Sequence, residues 1–336
     1  MIKWIKIIGS FFSIGVLSCL FMLSCCSKTQ VSSNLFNQWM QPSGKIKVLS
    51  TVSMIDDIVR QIGQEKILHM SLISGQIDPH SYEMVKGDDE KLHMATVVFY
   101  NGLGLEHGAS LSNHLLNHKN AIALGDIVAH QVPEEMIYID KTIDPHIWMD
   151  ISLWSLIIDP IVQELSRLDP ESAEFYKHNG ENLLEAMRKM DRKIYHVMHQ
   201  VPSSQRYLVT SHDAFNYYTR AYLANPDEKY WQNRVNAPEG LAPDGQLSSS
   251  DIQCIVNFLL EKNIRTVFPE SSVNRDALNK IIHDCQKKGL KVHMAKSSLY
   301  SDSMGGKDSG ADNYLDMMWC NTIAILSEWE KHAKCY

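Results

Sequence analysis

The chain has 336 residues, of which 44% are apolar and 21% charged, with 17 Gly and 11 Pro. That composition supports a sizeable core spread over about two domains, and it excludes a disordered tail protein, a collagen-like repeat and a multi-span membrane protein. The 39 acidic and 32 basic residues leave a formal charge of −7 and no basic stripe, so the charge pattern gives no support to nucleic acid as a partner.

Residues 1–27 read as a leader outside the fold. Lys3 and Lys6 form a cationic start, and the run from Ile7 to Ser27 carries no charge. Met22-Leu23-Ser24-Cys25 resembles a bacterial lipoprotein cleavage box with Cys25 as the lipidated residue. Simple cleavage to a soluble exported protein is the alternative. Either way the chain is exported, into a compartment that permits disulfides. Cys254, Cys285, Cys320 and Cys335 allow three pairings if all four are used, or stay as buried free thiols. They contain no CxxC, which argues against a zinc–thiolate site.

An N-terminal α/β lobe is expected over 45–168. From about Ile46, KIKVLSTVSMIDDIVRQIG reads as a strand and an amphipathic helix. ATVVFYN, Ala95 to Asn101, is an apolar run ending at the turn Gly102-Leu103-Gly104. Alternating units of this kind predict a largely parallel sheet. A long helix is expected over 169–201, starting at Asp169-Pro170 and closed by Pro202. Leu183, Met187, Met190, Ile194 and Val197 recur at steps of four and three along one face. At about 45 Å, a helix of about 30 residues would span a small two-lobed protein. A C-terminal α/β lobe follows over 202–336. Its units are YLVTS, helices from about Ala214 and Ser250, IRTVFPE, a helix from about Arg275, LKVHMA and a helix from about Asn313.

Two segments share a tetrapeptide, Ile77-Asp78-Pro79-His80 and Ile143-Asp144-Pro145-His146. Proline fixes its own φ and holds the preceding Asp extended, which stiffens the loop that presents each imidazole. A metal site needs such stiffness, and each Asp can hold a neighbouring group behind the ligands. The alternative is a pair of solvated turn histidines. His212 follows the strand-like run LVTS, and Asp302 follows LKVHMA within Leu299-Tyr300-Ser301-Asp302. In open α/β sheets, binding residues gather beyond the carboxyl ends of strands. Three imidazoles and one carboxylate, two from each half, make a plausible set of metal donors.

Other residues are set aside. His114 and His118, four apart on a predicted helix, read as surface histidines; His196 and His199 on the long helix face solvent or pack. Trp148 and Tyr217 read as wall and core. Glu270, after VFP, is expected near the cleft, accepting a hydrogen bond from His212 or a neighbour, with a plain structural role as the alternative. A secreted zinc-dependent hydrolase would use similar ligands, but the chain has no HExxH and no HxH, and no Glu base beside a ligand pair. No Walker A loop surrounds Gly44-Lys45 or Gly306-Lys307.

The ordered set IDPHSYE, GLGLE, IDPHIWMD, VTSHDAFNYY, VFPESS and SLYSDSMG…ADNYLDMM resembles the metal-binding solute-binding proteins of ABC importers, the ZnuA/TroA-like family (cluster A-I, or family 9), from about residue 45 to the end. The resemblance implies two α/β lobes joined by one long rigid helix, with a single metal between the lobes held by His80, His146, His212 and Asp302. It implies a non-enzymatic, monomeric receptor in the periplasm or on the outer face of the cytoplasmic membrane, serving an ABC permease and its separate ATPase. A lipid-anchored adhesin is the remaining alternative, since relatives of this type were first described as adhesins. The His-His-His-Asp set is closest to the family's iron- and manganese-linked members. The stretch from Glu106 to Thr142 has only His107, His114, His118 and His130, unlike the long His- and acid-rich loop of zinc-specific members. Imidazole with carboxylate suits Fe(II), Mn(II) and Zn(II), whereas Ca and Mg want more oxygen. With three unperturbed imidazoles of pKa about 6.5, affinity is expected to fall steeply below about pH 6.

Overall fold

The computed structural model describes residues 36–243 and 247–333. The leader with Cys25, and Cys335, lie outside the described residues. The chain divides into two compact units, 1–44 and 45–336. In the first, residues 36–40 are helical.

The second unit is α/β. Strand β1 (Ile46–Ser50) lies between β2 (Ile67–Ser71) and β3 (Val97–Tyr100), and β4 (Ala121–Ala123) completes the sheet in the order β2-β1-β3-β4. Every pairing is parallel. Four of the five β1 residues are buried, as expected of a parallel strand covered on both faces. Helix α1 (Ser53–Gly63) makes the first crossover and buries Met54, Ile55, Ile58, Val59 and Ile62, an apolar stripe of helical period. Helices α2 (Asp88–Met94), α3 (Ala109–Asn117) and α4 (Leu124–Gln131) follow. A short antiparallel hairpin, β5 (Tyr138–Ile139) with β6 (Thr142–Ile143), then leads into His146.

Helix α5 (Ile158–Leu168) packs on the long helix α6 (Ala173–His199). The α-helix starts later than the Asp169-Pro170 signal predicts. Pro170–Ser172 forms a tight 3-10 turn, and the Asp169 carboxylate accepts the Tyr176 hydroxyl at 2.9 Å. The 27 residues of α6 span about 40 Å. Tyr176, Gly180, Leu183, Met187, Ile194 and Met198 form its buried face, with Met190 and Val197 at the margin. A Cβ at Gly180 would meet Val162 Cγ2 at 2.8 Å, so glycine sets the approach of α5 and α6.

After α6, β7 (Leu208–Val209) pairs with β8 (Val235–Asn236), and β9 (Thr266–Val267) pairs with β10 (His293–Met294), both in parallel. Phe268 N–H donates to the Val209 carbonyl at 2.8 Å and stitches the two pairs together. The resulting order, β8-β7-β9-β10, repeats the β2-β1-β3-β4 order of the first half. Helix α7 (Ser249–Lys262) begins at a capping box of Ser248 and Asp251; α8 (Asp276–Lys287) and α9 (Tyr314–Ala333) complete the chain. The helix expected from Ala214 starts at Asn216 and widens into a π-turn over Thr219–Leu223. Cys254, Cys285 and Cys320 are free thiols. Among the described residues, no helix is long and apolar enough to cross a membrane.

Candidate metal centre

Both Asp-Pro-His segments fold on themselves. The Asp78 carboxylate accepts the His80 N–H at 2.8 Å and the Ser81 hydroxyl at 2.7 Å. The Asp144 carboxylate likewise accepts the His146 N–H, at 2.9 Å. An Asx-turn of this kind is written into the local sequence. The second copy goes further, because Asp144 Oδ1 also faces His146 Nδ1 at 2.7 Å while Oδ2 accepts from Asn216 Nδ2 at 3.0 Å. The GLGLE segment supports the His146 loop from below. Buried Glu106 accepts the N–H groups of Asn101 and Gly102 at 2.8 and 3.0 Å and the Thr51 hydroxyl at 2.7 Å. Asn101 Nδ2 then donates to the Pro145 carbonyl at 3.0 Å. Gly102, at φ +75°, fits only without a side chain, since a Cβ would lie 2.7 Å from Asp126 Oδ1.

From the second half, His212 follows β7 and Asp302 follows β10. Glu270 Oε1 accepts the N–H groups of Ser211 and His212 at 2.8 and 2.9 Å, and Oε2 lies 2.6 Å from His212 Nδ1, a close contact poorly aligned for a hydrogen bond. Ser272 and Ser301 hydroxyls lie 3.2 and 3.3 Å from Asp302 Oδ2.

The four candidate residues come together. One donor atom from each of His80, His146, His212 and Asp302 lies within 4.8 Å of all the others, and none of the four is more than 2% exposed. His80 Nε2 and His146 Nε2 stand 3.1 Å apart. Asp302 Oδ1 is 3.4 Å from His146 Nε2, and Oδ2 is 3.4 Å from His212 Nε2. Glu270 sits behind His212, and Asp144 behind His146. Among the described residues no carboxylate is bonded to the His80 ring: Asp78 accepts its backbone N–H instead.

Electrostatics follow that asymmetry. Burial and the charge of neighbouring His146 hold the His80 imidazole well below the ordinary histidine value. Burial opposes the charged form of His146 too, but Asp144 and Asp302 outweigh it and push the ring up to about 9. His212 is raised for the same reason, by Glu270 and Asp302 against burial. Asp302 is held well below the carboxylate range, because the charges on His212 and His146 overcome its burial. The raised imidazoles, each paired with carboxylates, therefore carry protons that a bound cation would displace.

The bystanders separate cleanly. His114 is exposed and faces Asp89 Oδ1 at 3.2 Å; His118 lies one residue beyond α3, with Nε2 3.2 Å from the Leu92 carbonyl. The two do not form a clamp. His196 is exposed, and His199 stacks on Tyr195 at 3.9 Å. Trp148 and Tyr217 are fully buried, yet both are wired to the centre. Trp148 Nε1–H donates to the Ser301 carbonyl at 2.7 Å, and the Tyr217 hydroxyl donates to the Asp144 carbonyl at 3.1 Å. Sequence reasoning missed Asn216 behind Asp144. It also missed His107, whose exposed ring lies 5.8 Å from that of His80; its place beside GLGLE was the available signal.

Paired parallel-sheet halves, a long helix running between them in the chain, and a buried His-His-His-Asp cluster drawn equally from both define the metal-binding solute-binding proteins of ABC importers. Residues 48–327 match the family described as "Zinc-uptake complex component A periplasmic", and the chain belongs to that family. It is 37% identical over 321 residues to the metal-binding protein YtgA of Chlamydia muridarum, covering 94% of each chain. It is 31% identical to the manganese-binding lipoprotein MntA of Bacillus subtilis, covering 84% of this chain and 89% of that one. The crystal structure of Fe(III)-bound YtgA from Chlamydia trachomatis superposes with a TM-score of 0.80 at 36% identity, over 85% of this chain and 98% of that one. The periplasmic zinc-binding TroA of Treponema pallidum gives 0.77 at 27% identity, over 85% and 99%.

Proposed function

We propose that this protein captures one divalent transition-metal ion, Fe(II), Mn(II) or Zn(II), outside the cytoplasm and delivers it to an ABC permease driven by a separate ATPase subunit. His80, His146, His212 and Asp302 are the ligands, and Glu270 orients His212. The protein acts as a monomer without enzymatic turnover, with lobes 45–168 and 202–336 meeting at the metal and 169–201 as the strut between them. Cys25 serves as the lipid attachment point that keeps the receptor at the membrane. The observation that carries this reading is the convergence of three imidazoles and a carboxylate within 4.8 Å, in a buried spot built by two halves of the chain. Buried ionisable groups at such spacing are costly unless paired or metal-bound. The donor types suit borderline transition metals; the Fe(III)-bound YtgA and the zinc-binding TroA share the fold, and the manganese-binding MntA is similar in sequence. Metal analysis of protein purified without added metal, followed by anaerobic competition among the three ions, tests it. A stoichiometry of one ion that drops to zero in the His146→Ala and Asp302→Ala proteins is the expected result. Full stoichiometry in both variants would overturn the ligand assignment.

A further inference from the structure

The two raised imidazoles are held differently. His212 leans on Glu270, and both belong to the second half of the chain. His146 leans on Asp144 of its own half, but Asp144 is itself held from the other side. Its Oδ1 is occupied by the His146 N–H and ring, so the free direction of the carboxylate is Oδ2. Asn216 fills that position. Its amide donates to Asp144 Oδ2 at 3.0 Å and to the Asp213 carbonyl at 3.1 Å, and the residue is 2% exposed. Next to it, Tyr217 donates to the Asp144 carbonyl and accepts the Ile137 N–H, each at 3.1 Å.

We infer that Asn216 is a positioning residue: from the second half of the chain it fixes the carboxylate that aims His146, and so makes the geometry of a first-half ligand depend on the contact between the halves. The inference rests on the metal-capture reading above. The side-chain hydrogen bonds of Asn216 go to Asp144 and the Asp213 carbonyl and not to a proposed ligand side chain, so it acts on His146 through Asp144. A carboxylate with one oxygen unheld can rotate about its terminal torsion, which is broad and two-fold, and carry the Nδ1 contact with it. Loss of an outer partner of a metal-ligating histidine typically weakens binding about 10–100-fold. The arrangement also implies a route to release. A partner that draws the halves apart at this seam withdraws Asn216 from Asp144 and slackens His146 without touching the metal.

Co(II) is the probe, because its visible absorption reports ligand geometry, and the full chain is used throughout. Asn216→Ala, and the milder Asn216→Ser whose hydroxyl is too short to reach Asp144, should each bind Co(II) about 10–100-fold more weakly and change the absorption spectrum of the loaded protein. Tyr218→Phe is the structural control. It removes the buried Tyr218–Thr322 hydroxyl contact of 2.8 Å on the same turn, and should leave affinity and spectrum as in the wild type. In an Asp144→Asn background, Asn216→Ala should cost no further affinity, since the two act as one unit. Wild-type affinity and spectrum in both Asn216 variants, or losses that add in full with Asp144→Asn, would overturn the inference while leaving the ligand set intact. Failure of the wild-type protein to bind Co(II) would instead overturn the metal-capture reading.

Discussion

Metal capture at neutral pH should expel more than one proton. The imidazoles must give up a proton to bind metal, so release depends on which of them carry one beforehand. With His146 pushed up to about 9, it is almost fully charged at pH 7; His212 is raised as well, whereas His80 is held low. Three unperturbed histidines would release roughly 0.7 proton at that pH, each being about one quarter charged. The difference is large enough to measure by titration calorimetry in buffers of differing ionisation enthalpy. It also moves the pH window. Affinity should already be falling between pH 9 and 7, by about tenfold per unit for each proton displaced, rather than only below about pH 6 as unperturbed imidazoles imply. The metal-free protein gives a second check. A histidine raised in the folded state contributes stability that is complete below about pH 6.5 and vanishes as pH rises through its folded value. For His146 that loss falls between about pH 6.5 and 9. The melting temperature of metal-free protein should therefore drop across that interval, while the loaded protein gains. Release of less than one proton at pH 7, together with flat affinity from pH 7 to 9, would refute the carboxylate-backed arrangement.

Alanine at His80, His146, His212 or Asp302 should cost far more metal affinity than alanine at His114 or His118, which equilibrium dialysis will rank; a His114/His118 double variant that lost metal while Asp302→Ala kept it would reverse the assignment. Glu270→Gln keeps the shape but replaces the charge facing His212 Nδ1, so binding should weaken about 10–100-fold with the fold retained. Metal at about 100 times Kd should add about 2.7 kcal/mol to folding stability, seen as a rise in melting temperature that the Asp302→Ala protein lacks.

The parts of this centre legible in the sequence are those whose geometry is local. The IDPH repeat is legible because Asp, Pro and His make the turn among themselves, and the bonds from Asp78 to His80 and Asp144 to His146 span two residues. The long helix is legible because Leu183, Met187 and Ile194 keep helical period over many turns. Its start at Asp169-Pro170 is legible too, although the first turn, Pro170–Ser172, is 3-10 and the α-helix proper begins at Ala173. Strand β8 and the β5–β6 hairpin have two residues per strand, and β4 has three, too few for any periodicity to register. Glu270 was legible as a residue near the cleft because it follows the run VFP, with His212 or a neighbour as its expected partner. Asn216 carried no such signal: it reaches Asp144 across 72 residues of sequence, and only the fold brings it there.

The repeated strand order accounts for how each half of the chain contributes donors to one spot. In each half the candidate ligands lie on loops that follow strands, and the four come together. Bonds that do not involve their donor atoms also join the halves. Trp148 reaches the Ser301 carbonyl, the Tyr314 hydroxyl reaches the Trp148 carbonyl at 2.7 Å, and the Tyr314 N–H reaches Asp57 Oδ2 at 3.0 Å. Met304 N–H donates to the Ser53 hydroxyl at 3.3 Å, two residues from Asp302. A hinge-type receptor leaves such contacts to form on closure. Here Trp148, two residues from His146, is tied to Ser301, next to Asp302, by a bond that involves no donor atom of the centre. Capture should then replace imidazole protons by one metal ion within a frame that other contacts hold.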